Sequence, residues 1–136
     1  MPKRWTIKHT MTEPLDILKE YWGYSSFRPM QDKIVNTALA GKDVLAILPT
    51  GGGKSVCFQV PTMLKDGIAL VITPLIALMK DQVQNPNDRG IKAHAVYAGM
   101  NKREVDLALN NAAYGDVKFL YISPERLYQA VQVIPR

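Results

Sequence analysis

DVLAILPTGGGKS, residues 43–55, is an uninterrupted apolar run followed by a glycine-rich turn. The apolar run 44–48 predicts a strand buried on both faces of a parallel sheet. Glycine lets the backbone approach a ligand closely, and Lys54 and Ser55 open a predicted helix. Because a helix N-terminus offers unpaired N–H groups and a partial positive charge, the strand, turn and helix together predict a phosphate-binding loop.

The residues of this loop have distinct expected roles. We expect the backbone of Thr50, Gly51, Gly52 and Gly53 to surround phosphate oxygens, Lys54 to reach the terminal phosphates and the Ser55 hydroxyl to ligate magnesium. The strict motif has a glycine six residues before the lysine, where this chain has Leu48. The alternative is a glycine-rich turn with a surface lysine. The motif alone does not separate a kinase, a GTPase or a motor.

The composition is that of a globular protein with a net positive charge. The 136 residues are enough for one core, 47% are hydrophobic and 21% are charged. No apolar run is long enough to span a membrane, and the start lacks the apolar core of a signal peptide, so we expect a cytoplasmic location. The net charge of +5 is compatible with a nucleic-acid partner, but solvated surface charge explains it equally well. The single cysteine, Cys57, excludes an internal disulfide.

Alternating strand and helix signals predict an α/β fold. Residues 1–11 form a basic N-terminal arm, and residues 12–136 form one lobe with a parallel sheet and helices on both faces. Strands are expected at 44–48, 68–72, 93–96 and 117–122. Helices are expected from the Thr12 cap to Gly23, from Pro29 to Leu39, from Lys54 to about Phe58, from Pro74 to a stop at Pro86, over 102–113, and after the Ser123 cap.

A polar loop upstream offers groups suited to a nucleotide base. Gln31 carries both a donor and acceptors, which reading the edge of adenine requires. Tyr24 could stack on the base, and Arg28 could hold the base or the phosphates. An ordinary helix start with Phe27 in the core is the alternative, and the chemistry alone favours it.

Two further segments leave strands and enter helices. Hydroxyl and N–H groups at Thr73-Pro74-Leu75 suit a nucleic-acid phosphate, while the apolar residues that follow are most simply core. Ser123 to Arg126 repeats this strand-to-helix arrangement, for which a capped helix is the simpler interpretation. Ligands of parallel sheets bind outside the carboxyl ends of the strands, where all these segments begin.

Taken in order, the segments FRPMQ, LPTGGGKS, TPLIALMKDQV and YISPERL resemble the start of a RecQ-family DNA helicase. The resemblance covers roughly residues 14–130. It implies the first RecA-like motor lobe of an ATP-dependent 3′-to-5′ helicase, with ATP and Mg²⁺ as cofactors and with roles in DNA repair and recombination in the nucleoid. By resemblance, Gln31 reads adenine beside Tyr24 and Arg28, and Lys54 holds the β- and γ-phosphates.

The resemblance also assigns the DNA contacts and an expected boundary. Thr73, Pro74, Leu75, Ser123 and Arg126 are expected to face single-stranded DNA. The family's DEAH box is expected beyond Arg136, so these residues alone are predicted to bind ATP without hydrolysing it.

Two alternative functions and an expectation about association remain open from the sequence. The chain could instead be a stand-alone NTP-binding regulatory module, or a basic nucleic-acid-binding domain whose glycine loop is only structural. A sheet without all its strands exposes edges and apolar faces, so we expect self-association or packing against the rest of a longer helicase chain.

Overall fold

The computed structural model describes residues 13–49 and 53–133. They form two compact units, 13–67 and 68–133. The predicted N-terminal arm and the Thr12 cap lie outside the described residues.

The first unit is helical. Helix α1 spans Pro14–Ile17 and continues as a π-helical turn, Leu18–Trp22; α2 spans Gln31–Leu39 and α3 spans Lys54–Met63. Pro14 occupies the first position of α1, where its missing N–H costs nothing. Gly23, in the left-handed conformation at φ 74°, ends the π-helical turn as predicted.

The core of the first unit forms where these helices pack together. Ile17, Leu18, Val35, Val60 and Met63 are buried, and α3 packs against both α1 and α2. Helix α3 does not end near Phe58 as predicted.

Instead, α3 continues through Pro61, with the Thr62 hydroxyl donating to the Phe58 carbonyl at 2.7 Å. Burial of Val60 and Met63 outweighs the one backbone hydrogen bond that the proline removes.

The prediction of a buried strand at 44–48 is wrong. These residues have no strand assignment, and Leu45 and Ile47 are 90% and 86% exposed. An apolar run favours burial, but a strand exists only where a neighbouring segment hydrogen-bonds its backbone, and no described segment does so here. A cavity of about 610 Å³ lies between this segment and the helices α2 and α3.

The second unit contains a parallel sheet of three strands: β1 (Ala69–Ile72), β2 (Ala93–Val96) and β3 (Phe119–Ile122). Their order is β1-β3-β2, and Phe119 pairs in register with Ala69 on one side and Ala93 on the other. All four β3 residues are buried, as expected for a central strand. The sheet confirms the predicted α/β class and three of the four predicted strands.

The helices of this unit are α4 (Ile76–Asp88), α5 (Lys102–Tyr114) and α6 (Leu127–Val133), with a 3-10 turn at Pro124–Arg126 before α6. Helix α5 begins with a capping box in which Asn101 and Glu104 each accept the other's backbone N–H. Its residues Val105, Ala108, Leu109 and Ala112 pack with Leu120, Ile122 and Val96 of the sheet. Leu107, on the same helix, is 61% exposed.

Helix α4 does not stop at Pro86 as predicted. It continues to Asp88, although Pro86 removes one backbone hydrogen bond of the helix. Asn87 Nδ2 donates to the carbonyls of Val83 and Ala93, and Asn87 Oδ1 accepts the Ala93 N–H at 3.2 Å. Asn87 thus joins the end of α4 to the start of β2.

The N-terminal half of α4 is also less buried than predicted. Met79 is fully buried, but Leu75, Ile76 and Leu78 are 55%, 37% and 49% exposed. The helix therefore packs through one narrow stripe.

Candidate nucleotide and nucleic-acid sites

The glycine loop leads into α3 through a left-handed residue. Gly53 is the N-cap of α3 at φ 75°, a conformation that favours glycine. Lys54 and Ser55 occupy the exposed first turn of α3. Its backbone N–H groups lack intrahelical partners, which makes this turn suitable for an anion. Thr50, Gly51 and Gly52 lie outside the described residues.

The predicted adenine-reading residue contacts the phosphate loop directly. Gln31 Nε2 donates to the Gly53 carbonyl at 3.0 Å, and Gln31 Oε1 accepts the Arg28 N–H at 2.8 Å. A primary amide has two donor hydrogens and two acceptor lone pairs. With described residues, Gln31 uses one donor and one acceptor, and the adenine edge requires one more of each.

Met30, the residue before Gln31, has an unusual backbone conformation. Met30 precedes α2 at φ 74°, the one non-glycine residue with positive φ among those described. Such a conformation costs roughly 1–2 kcal/mol, and strain of this kind concentrates at ligand sites. Arg28 and Tyr24 are exposed on the same loop, with the Tyr24 ring 51% accessible. The first unit thus brings Arg28, Gln31 and Gly53 together, and Tyr24 lies on the loop that precedes Arg28.

Cys57 lies one turn into α3 and is nearly buried. Burial raises the pKa of the Cys57 thiol above its ordinary value, an effect partly opposed by a backbone hydrogen bond. Its sulfur lies 3.8 Å from the Gly53 carbonyl. The thiol is therefore protonated at neutral pH and packs as a small apolar group.

Among the described residues, no group of three His, Cys, Asp or Glu side chains could hold a metal ion. Ser55 offers an exposed hydroxyl on the first turn of α3. Magnesium in nucleotide sites takes several ligands from phosphates and water.

In the second unit, Thr73 follows β1 at the carboxyl end of the sheet. Its N–H donates to the Ile122 carbonyl at 3.0 Å, and its buried hydroxyl accepts the Leu75 N–H at 3.2 Å. These bonds turn the chain so that Pro74 and Leu75 are exposed. Of the three, only Pro74 and Leu75 present their side chains to solvent.

Ser123 and Arg126 follow β3 at the same edge. Ser123 is fully buried, and its Oγ accepts the Ala98 N–H at 3.1 Å rather than capping a helix as predicted. Arg126 is half-buried and donates through Nε to the Tyr97 carbonyl at 3.3 Å and through Nη2 to the Met100 carbonyl at 3.0 Å. Both residues therefore bind the turn between β2 and α5.

That turn, Tyr97–Met100, was not singled out in the sequence. The Met100 N–H donates to the Tyr97 carbonyl at 3.3 Å, and Gly99 at φ 102° forms its exposed tip. The glycine before a capped helix is a turn signal. Its contact with Arg126, 26 to 29 residues later, has no local signal.

Comparison with known proteins defines the class of this chain. Residues 28–134 match the model of the DEAD/DEAH box helicase family. This range holds the Arg28–Gln31 loop, the phosphate loop and the whole three-stranded sheet. The chain belongs to the DEAD/DEAH box helicase family.

Within that family the chain is similar to RecQ helicases. It is 42% identical over 113 residues to the ATP-dependent DNA helicase RecQ of Haemophilus influenzae, with 83% of this chain and 18% of the relative aligned. It is 43% identical over 118 residues to the probable ATP-dependent DNA helicase RecS of Bacillus subtilis, with 86% and 23% aligned. The chain thus spans about a fifth of the length of these relatives. Within the part of the chain that the structure describes, no helix has the length and hydropathy to cross a membrane.

Proposed function

We propose that this chain is the ATP-binding portion of a RecQ-type 3′-to-5′ DNA helicase, which couples ATP hydrolysis to DNA unwinding. The observation that carries the proposal is the hydrogen bond from Gln31 to the Gly53 carbonyl. This bond supports the proposal because it joins Gln31, the proposed base-reading residue, to the N-cap of α3, whose first turn suits phosphates. The names of the RecQ relatives, which are ATP-dependent DNA helicases, support the same interpretation.

The nucleotide proposed for the first unit is ATP. The remaining donor and acceptor of Gln31 read the adenine edge, Tyr24 stacks on the ring and Arg28 lies beside it. The amides of residues 50–55 surround the phosphates, and the Lys54 ammonium neutralises charge on the β- and γ-phosphates. Magnesium, bound with the nucleotide, supplies charge neutralisation there, and the Ser55 hydroxyl is its proposed protein ligand.

The partner proposed for the second unit is DNA in the bacterial nucleoid. The exposed Pro74 and Leu75 and the turn held by Ser123 and Arg126 lie at the carboxyl ends of parallel strands, where such sheets bind ligands. The chain's net charge of +5 supports a polyanionic partner. A longer helicase chain is the other proposed partner.

Isothermal titration with Mg-ATP tests the nucleotide proposal. Lys54→Ala should abolish measurable binding, because the ammonium is the one long cation on the first turn of α3. Lys80→Ala, which removes an exposed positive charge from α4, is the matched control. The Lys80→Ala chain should bind Mg-ATP as the unmodified chain does. Equal ATP binding by the Lys54→Ala chain would overturn the proposal.

A second copy of the chain is a further proposed partner. Leu45 and Ile47 are largely exposed in the first unit, and Leu70 and Ile72 on the edge strand β1 are 37% and 51% exposed in the second. Exposed apolar segments and unpaired strand edges of this kind favour association between chains.

A further inference from the structure

The two residues after β3 that were expected to face DNA direct their polar groups at the protein itself. Arg126 donates to the carbonyls of Tyr97 and Met100, which are the two ends of one turn. A guanidinium holds several donors in a rigid planar fork, so it can fix two acceptors relative to each other. Its third contact is Nη1 to Gln129 Oε1 at 3.0 Å.

Ser123 holds the same turn from its inner side. It is 0% exposed, which places its hydroxyl beyond direct reach of a nucleic acid. Its Oγ accepts the Ala98 N–H, and its own N–H donates to the Val96 carbonyl at 2.9 Å. The turn is therefore bound at Tyr97, Ala98 and Met100 by residues of a single segment.

The face that this turn presents to solvent suits a nucleic-acid backbone. Ala98 and Gly99 are exposed, and no side chain of more than one carbon separates their backbone from an approaching strand. Lys102 and Arg103 follow immediately on the exposed first turn of α5, after the Asn101 cap. Small residues next to basic ones allow close approach of a phosphate.

We propose that Arg126 and Ser123 are positioning residues, which order the turn Tyr97–Met100 so that this turn, and not the guanidinium, contacts the DNA backbone. This inference rests on the DNA partner proposed above. It assigns Arg126 a geometric role that lysine cannot replace, whereas a direct phosphate contact needs chiefly its charge.

The first experiment measures hydrogen exchange of the Tyr97–Met100 amides in the unmodified, Arg126→Ala, Arg126→Lys and Ser123→Ala chains. Loss of charge-assisted bonds should speed exchange in this turn at least about tenfold in both Arg126 variants, and Ser123→Ala should speed exchange chiefly at the Ala98 amide, whose acceptor it removes. Exchange in β3 serves as the internal check of folding. Unchanged exchange in the turn of Arg126→Ala would overturn the proposal.

The second experiment titrates a fluorescent oligothymidylate with the same chains. Arg126→Lys should weaken binding as much as Arg126→Ala, about tenfold for each. Lys92→Ala is the charge-matched control, because Lys92 precedes β2 at the opposite end of the strands and pairs there with Asp116 at 2.9 Å. It should leave binding unchanged.

The outcomes separate this inference from the proposed function. If Arg126→Lys binds like the unmodified chain while Arg126→Ala is weakened, Arg126 contacts DNA through its charge and the positioning role is wrong. If the unmodified chain binds no oligothymidylate, the DNA assignment and the turn's part in it both fail. The exchange measurement still decides whether Arg126 orders the turn.

Discussion

Gln31 and Gly53, 22 residues apart, are joined by a hydrogen bond of 3.0 Å from the Gln31 amide to the Gly53 carbonyl. The proposed base-reading residue is therefore bonded directly to the N-cap of α3, the helix proposed to bind phosphates. A change at either position is expected to alter both base selectivity and phosphate binding.

Gln31→Glu tests this connection with little change of shape. The carboxylate can still accept the Arg28 N–H, but it cannot donate to Gly53 or to a base. We expect ATP affinity to fall about tenfold or more and the preference for ATP over GTP to disappear. Competition titrations with the two nucleotides measure both quantities.

Asn36→Ala, an exposed change on the same helix α2, is the control and should preserve affinity and preference. A Gln31→Glu chain that still distinguishes ATP from GTP would contradict the adenine-reading role.

Gly53→Ala should weaken nucleotide binding and stability together. A Cβ at this position would clash with Gln31 Nε2, and the residue would also have to keep a φ of 75°. The backbone strain alone costs roughly 1–2 kcal/mol of unfolding free energy. Urea unfolding and ATP titration measure the two effects.

Gly41→Ala separates strain from the clash. Gly41 has a φ of 80°, and a Cβ added there would meet no described atom within 4 Å. Gly41→Ala therefore has the same backbone strain as Gly53→Ala but no steric clash. It should lose similar stability and keep ATP affinity. Equal ATP affinities for the two alanine variants would argue that the Gln31 contact does not matter for binding.

His94 gives the second unit a pH-dependent stability. Burial is the main cause that lowers the pKa of His94 below its ordinary value, with Lys92 acting in the same direction and Asp116 opposing. The folded chain therefore favours neutral His94. As the pH falls below the ordinary value of 6.5, the unfolded chain takes up a proton first and the free energy of unfolding decreases, until the folded-state pKa is passed.

Urea unfolding above and below this pH measures the effect. His94→Gln should be less sensitive to acid than the unmodified chain over this range. A pH dependence identical in the two chains would show that His94 is not its source.

Self-association should depend on the exposed apolar run 44–48. Replacing Leu45 and Ile47 together by lysine adds charge where the side chains are 90% and 86% exposed, so folding should be unaffected. We expect light scattering coupled to size exclusion to show a smaller average mass than for the unmodified chain. Leu107→Lys, on the exposed face of α5, is the control and should leave the mass unchanged. An unmodified chain that is monomeric at every concentration tested would contradict the proposed self-association.

Local patterns in the sequence predicted much of the fold. The strand at 93–96 matches its prediction, and Gly23 ends a helical segment as expected, because both depend on signals within a few residues. The run 44–48 shows the limit of such signals. Its apolar residues favour burial, but strand formation depends on a partner segment distant in the chain.

The same distinction applies to the sites. Lys54 was identified from the glycine-loop motif and Gln31 from the RecQ resemblance, since residue chemistry alone favoured an ordinary helix start there, and the structure bonds Gln31 to Gly53. Their roles in binding stay predictions. The contact of Arg126 with the turn at Tyr97 could not be predicted, because it joins two loops that only the sheet brings together.

The bonds from Asn87 to Ala93 have a consequence for how the sheet meets other chains. Strand β2 lies at one border of the sheet, and the Asn87 amide occupies both backbone groups of Ala93, the residue with which β2 begins. A peptide that added to the sheet next to β2 would have to displace the Asn87 amide, which bonds the backbone N–H and C=O of Ala93 as a neighbouring strand would. No side chain among the described residues makes a corresponding pair of bonds to the backbone of β1, the strand at the other border. This asymmetry favours β1 over β2 as the strand that would pair with a second chain in the proposed self-association.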